Sequence, residues 1–165
     1  MKGAYGGNYF NVLAEPPAEA LRRLRPAYWV IDRSRIGDTA WARLTFFIRT
    51  PIATRFVVIQ YGVNDAGSGY LYARPLKTMV THVQRAGKTA IVTGPSRGAI
   101  KNWDTYHDIA RKVAMETGAA FADWGAVEFS QADMGDPIHP GQAYSLRLVR
   151  QLVATLDRLA PECMP

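Results

Sequence analysis

The sequence predicts an α/β protein, a parallel sheet covered by helices on both sides. Two observations carry this. Short apolar, β-branched runs alternate along the chain with segments of helical hydrophobic spacing, joined by short connections. The run RFVVIQY at 55–61 is apolar without alternation, the pattern of a strand buried on both faces of a parallel sheet.

The elements can be taken in chain order. AEALRRLR (18–25) reads as a helix because Pro16 and Pro17 suit a helix start. AYWVID (27–32) is aromatic and β-branched, which predicts a short strand. In DTAWARLTFFIR (38–49) Trp41, Leu44 and Ile48 share one helical face, and Pro51 ends the helix. After the strand at 55–61, a helix is expected from about Pro75 to Ala86. It carries Leu76, Met79, Val80 and Val83 on one face and Gly87 as its C-terminal cap. TAIVT (89–93) is a strand closed by Gly94-Pro95. A further helix holds Tyr106, Ile109, Ala110 and Val113 and ends at Gly118. AAFADW (119–124) is the last strand, and the last helix runs from Tyr144 to Leu159.

A length of 165 residues suits one domain, and 48% hydrophobic with 21% charged residues is an ordinary globular balance. No apolar run is long enough to span a bilayer, and MKGAYGGNYF lacks the apolar core of a secretory signal. The expectation is a cytoplasmic protein as written. Cys163 has no second cysteine to pair with and makes no metal site by itself. The net charge of +6 and the pI near 9.7 raise nucleic-acid binding. The densest basic stretch, LRRLR, is better read as the solvated side of a helix, and no nucleic-acid-binding motif accompanies it, so no nucleic-acid partner is expected.

In parallel sheets ligands bind beyond the carboxyl ends of the strands, and three clusters fall there. Gly37 and Asp38 open a helix, where a backbone N–H can hold an anion; the plainer reading is a helix start with Asp38 as N-cap. In QYGVNDAGSGY, Gly62 permits an unusual backbone angle and Asn64 offers a neutral amide donor, although Asn, Asp and Gly also make ordinary loops. In GDPIHPGQAY, Asp136 stands three residues before His139, close enough to orient the ring and stabilise its imidazolium. Pro140 and Gly141 keep His139 on a loop. His82 and His107 fall within amphipathic helices and are read as surface residues.

The order Gly37-Asp38-Thr39, then Gly62-Val63-Asn64-Asp65, then Asp136-x-x-His139-Pro140 resembles the SGNH, or GDSL, hydrolase superfamily. The likeness covers nearly the whole chain, including AGKTAIVTGP between the second and third of these motifs. It implies a flavodoxin-like three-layer sandwich and the activity of a serine esterase, lipase, thioesterase or carbohydrate acetyl-esterase. It further implies that His139 is the base, Asp136 its partner, and Gly37 and Asn64 the oxyanion donors, with Gly62 shaping the turn. No metal or cofactor is implied, only a small ester substrate.

The chain departs from the family in one respect. The family's first motif, G-D-S-(L/I), ends the first strand and supplies the nucleophile, and it is missing here. KGAYGGNYF resembles the residues just after that serine, so the expectation is an N-terminally truncated domain whose first strand and nucleophile lie outside this chain. Any signal peptide would then be lost too, leaving the cellular location open. Ser68, in the glycine-rich loop, and Ser34 are poor substitutes, because neither ends the required strand. The alternative function is a catalytically inactive binding module that keeps the pocket, for example for an acylated carbohydrate.

Overall fold

A computed structural model describes residues 13–164. These fall into two compact units. One comprises residues 37–95 and 100–125 and contains the sheet; the other comprises, among the described residues, 13–36, 96–99 and 126–164.

In the sheet unit, α2 (Ala40–Arg49) is followed by β1 (Phe56–Ile59), α3 (Val63–Ser68), α4 (Ala73–Arg85), β2 (Thr89–Val92), α5 (Trp103–Thr117) and β3 (Ala120–Phe121). The strands form one parallel sheet in the order β1-β2-β3, with Phe56 opposite Thr89 and Ile91 opposite Ala120. Parallel neighbours need a crossover, and the amphipathic helices α4 and α5 supply it. Leu76, Met79, Val80 and Val83 of α4 are all fully buried and share a core with Ile59, Ala90, Val92 and Tyr106. Ile91 points to the opposite face of β2 and is equally inaccessible, so this strand is covered on both sides. Gly87 and Gly118, at φ +70° and +67°, take the left-handed conformation that ends α4 and α5.

In the other unit, α1 (Pro17–Leu24) packs on α6 (Gln142–Leu159). Ala20 and Leu21 meet a helix whose buried face comprises Tyr144, Leu148, Val149, Leu152, Val153 and Leu156. A paired Arg25–Asp157 contact joins the end of α1 to α6.

Four expectations from the sequence need correction. Residues 27–32 are not a strand: none joins a ladder among the described residues, and Trp29 is 79% exposed. A strand exists only as one member of a pair, and here the Val30 carbonyl accepts from the Arg22 guanidinium at 2.7 Å instead. The last strand shrinks to Ala120–Phe121, with Trp124 in a 3₁₀ turn. The N-cap of α2 is Thr39, not Asp38; its hydroxyl accepts from the Ala42 N–H at 3.2 Å. The covered face of α2 carries Ala40, Leu44 and Phe47, while Trp41 and Ile48 face outward.

Candidate active site

The glycine-asparagine motif is built on β1. The strand delivers the chain to Gly62 at φ +120°, which a side chain would find strained, and α3 begins at once. A Cβ at Gly62 would also stand 3.2 Å from Pro95 and from the Tyr72 hydroxyl. Asn64 therefore lies in the first turn of a short helix and not in an open loop. Its side-chain Nδ2 donates to the Asp38 carbonyl at 3.0 Å, which uses one of its two N–H groups. Gly37, at φ +73°, precedes that carbonyl, and its conformation is the reason for glycine there, since a Cβ would meet open space. Asp38 also pairs with Arg43 at 3.4 Å. The structure thus brings Gly37, Asp38, Gly62 and Asn64 into one neighbourhood, at the carboxyl end of β1.

The acid–base pair belongs to the other unit. Between the 3₁₀ turn Gln131–Asp133 and α6 the chain doubles back, and Met134 and Pro140 form an isolated antiparallel bridge. Gly135 N–H donates to the His139 carbonyl, and Gly141 N–H to the Asp133 carbonyl, each at 2.9 Å. Gly141 is obligatory here, because a Cβ would lie 2.5 Å from the Asp133 oxygen. Ala99 N–H donates to the Pro137 carbonyl at 2.7 Å, anchoring the loop to residues 96–99.

Within this loop Asp136 Oδ1 accepts from the backbone N–H groups of Ile138 and His139, at 2.8 and 2.7 Å. Its Oδ2 lies 2.7 Å from His139 Nδ1. Burial works to raise the Asp136 pKa, but the His139 N–H, the His139 ring and the Ile138 N–H together hold it below the ordinary carboxylate range. An ionised acceptor at Oδ2 selects the tautomer in which Nδ1 carries the proton and Nε2 the lone pair. The Asp136 side chain is 13% exposed and the His139 side chain 42%, so the carboxylate is the more enclosed of the two.

The structure also holds a second imidazole–carboxylate pair that the sequence does not announce. His107 is not a surface residue: its side chain is 12% exposed, and Nε2 lies 2.8 Å from Asp123 Oδ1. The ring stacks on Trp103 at 4.8 Å and sits where Gly94 and Gly125 leave room. Asp65, absent from the expected site, is fully buried. Signals for both exist in the sequence, since Asp123 follows a strand and Asp65 follows Asn64. His82, by contrast, lines a surface depression with Lys77 and Arg85 that contains none of the predicted residues.

Ser34 Oγ donates to Asp32 at 2.6 Å, and Ser68 is exposed at the end of α3. Among the described residues no cluster of His, Cys, Asp or Glu could hold a metal, and no helix is long and apolar enough to cross a membrane.

No family model and no curated protein matches this sequence. Solved structures do. Est24, a carbohydrate acetylesterase from Sinorhizobium meliloti, superposes with a TM-score of 0.77 at 17% identity, over 96% of this chain and 94% of that one. A catalytic mutant of Axe2, an acetylxylan esterase from Geobacillus stearothermophilus, gives 0.72 at 18% identity, over 89% and 83%. The M. smegmatis aryl esterase gives 0.71 at 17% identity, over 87% and 85%. At such identity the likeness establishes the fold. It is a flavodoxin-like α/β fold, a parallel sheet flanked by helices, shared with these esterases.

Proposed function

We propose that this chain is the larger part of an SGNH-type hydrolase that cleaves a small carboxylic ester or thioester through an acyl-serine, with the serine supplied by a Gly-Asp-Ser segment outside it. The observation that carries the reading is the Asp136–His139 pair. An imidazole locked through Nδ1 to an ionised carboxylate, which leaves the lone pair on Nε2, is the arrangement a general base requires. The fold's likeness to acetylxylan, carbohydrate acetyl and aryl esterases favours an acetyl ester of a carbohydrate as substrate. Variants of Axe2 substituted at a serine and at a histidine are described as catalytic mutants, which supports the same division of labour here.

In the first step His139 Nε2 takes the serine proton as Oγ bonds to the ester carbon, and the carbonyl oxygen becomes an oxyanion. The Gly37 N–H and the second N–H of Asn64 Nδ2 stabilise that charge. The imidazolium then gives its proton to the departing alkoxide as the C–O bond breaks, leaving an acyl-serine and a free alcohol. Water then bonds to the acyl carbon as the same Nε2 takes its proton, and the imidazolium gives that proton to Oγ as the acyl–Oγ bond breaks, releasing the acid and the free serine.

The test is an aryl acetate assay on two proteins, this chain and a longer form carrying a strand that ends in Gly-Asp-Ser. The expected result is little or no turnover by the first and activity in the second. That activity should be lost in His139→Ala and fall about a hundredfold or more in Asn64→Ala. Turnover by the chain alone, with fluorophosphonate labelling of Ser68 or Ser34, would place the nucleophile elsewhere. A longer form that stays inactive would favour the binding-module reading.

A further inference from the structure

The residue beside Asn64 is the least accessible carboxylate among the described residues, and its contacts are unusual in kind. Asp65 is 0% exposed. Its Oδ1 accepts from the Ala40 N–H at 2.8 Å, across 25 residues of sequence, and its Oδ2 accepts from the Gly62 N–H at 3.0 Å. Arg43, early in α2, pairs with Asp38. Asp65 is therefore held by backbone donors from two separate segments. One is the start of α2, immediately after Gly37-Asp38-Thr39; the other is the turn that opens α3.

We propose that Asp65 is a positioning residue whose carboxylate clasps these two segments together, so that the Gly37 N–H and the Asn64 amide are fixed relative to one another. The inference rests on the oxyanion role proposed for those donors. A second tie runs beside it, from Asn64 Nδ2 to the Asp38 carbonyl at 3.0 Å. Between them the two ties hold residues 38–40 against residues 62–65. An N-cap contact to Gly62 alone needs one acceptor. Here the two N–H groups belong to different segments and are taken one by each oxygen of a single rigid group; an amide in this orientation would turn its N–H₂ toward one of the two donors. Burial pushes the Asp65 pKa up, opposed by the N–H groups of Ala40 and Gly62 and by those of Asp65 and Trp41. The cost of burying a charge is thus accepted at a position where a neutral residue would fill the space. Preorganised donors act without reorganising during reaction, and that is the gain such a clasp supplies.

Nuclear magnetic resonance of this chain tests the clasp without any assay of hydrolysis. In the unmodified protein the Ala40 and Gly62 amide protons and the Asn64 side-chain amide should shift together as pH falls, with one midpoint shared by the Asp65 carboxyl carbon. The neighbouring ionisable groups are Asp38 with Arg43, Tyr61 and Tyr72. Both phenols are pushed up by burial, Tyr61 to about 12, so neither titrates in acid, and the Asp38 carboxyl carbon reports its own midpoint. In Asp65→Asn, hydrogen exchange at Ala40 or Gly62 and at the Asn64 side chain should quicken at least about tenfold relative to Thr39→Ala, which loses a cap of the same helix but leaves the clasp intact. The proposal is overturned if the Asn64 amide ignores the Asp65 midpoint, or if Asp65→Asn loosens it no more than Thr39→Ala does. Should Asp65→Asn fail to fold, the titration of the unmodified chain decides alone. If Asn64→Ala in the serine-bearing form keeps full activity, the oxyanion assignment falls, while the clasp stands or falls on these resonances.

Discussion

Asp136 satisfies three donors with two oxygens, and the consequence can be read in acid. Its folded-state pKa is depressed below the unfolded value of about 3.9, so its contribution is fully present above that pH and is lost as pH falls through the folded value. Asp136→Asn should therefore lower stability at pH 6.5 by about 1–3 kcal/mol, the worth of hydrogen bonds to a charged group, and the gap should be smaller at pH 2.5, below the unfolded value. Urea midpoints of both proteins at the two pH values check this; an equal gap at both would remove ionisation from the account. At His107 the constraint is steric. A Cβ on Gly125 would stand 2.3 Å from Nε2, so Gly125→Ala should cost about 1–3 kcal/mol in the native background and markedly less in His107→Ala, as a double-mutant cycle would show. These two imidazoles also mark what the sequence could reveal of the site. Asp136 and His139 sit in one loop, so their spacing announces the contact. His107 and Asp123 are 16 residues apart on a helix and past a strand end, and only the fold brings them together. The Asp65 clasp, spanning 25 residues, is hidden for the same reason.

At the scale of elements, helices with one apolar face are legible and those apolar all round are not. In α4 the polar residues leave a single stripe, so the period identifies the buried side, and all four predicted residues lie in the core. In α2, AWARLTFFIR offers several apolar faces, and its period alone does not separate the one containing Trp41 and Ile48 from the one containing Ala40, Leu44 and Phe47. The difference has a measurable consequence. Phe47→Ala should cost about 2–4 kcal/mol, discounted for partial burial, whereas Trp41→Ala, at a residue 54% exposed, should cost under about 1 kcal/mol. Thermal or chemical melts of the two variants decide between the faces. The strand expected at 27–32 fails for another reason: a composition can favour extension, but only a ladder partner makes a strand.

For the molecule as a whole, apolar side chains left exposed on the sheet bear on solution behaviour. Among the described residues β1 stands at one end of the order β1-β2-β3, its sequence is FVVI, with no charge or proline along it, and Val58 is 38% exposed. Exposed apolar surface on a strand favours association with another chain, and proteins ordinarily limit it with lysine, proline, a bulge or a covering segment. Opposing association is the net charge of +6, a repulsion that salt screens. The two effects together predict that this chain stays dispersed at low ionic strength and self-associates as salt rises toward roughly 0.5 M, where the Debye length is only a few ångströms. Val58→Lys places a charge on this surface without touching the core residues of β2, so it should suppress the salt-induced scattering while leaving the melting temperature nearly unchanged. A longer form carrying a Gly-Asp-Ser strand should also melt higher, because an added strand in the sheet contributes ladder hydrogen bonds and core burial. Light scattering against salt and melts of the three proteins are the measurements. If Val58→Lys associates as readily as the native chain, the exposed Val58 surface of β1 does not drive association.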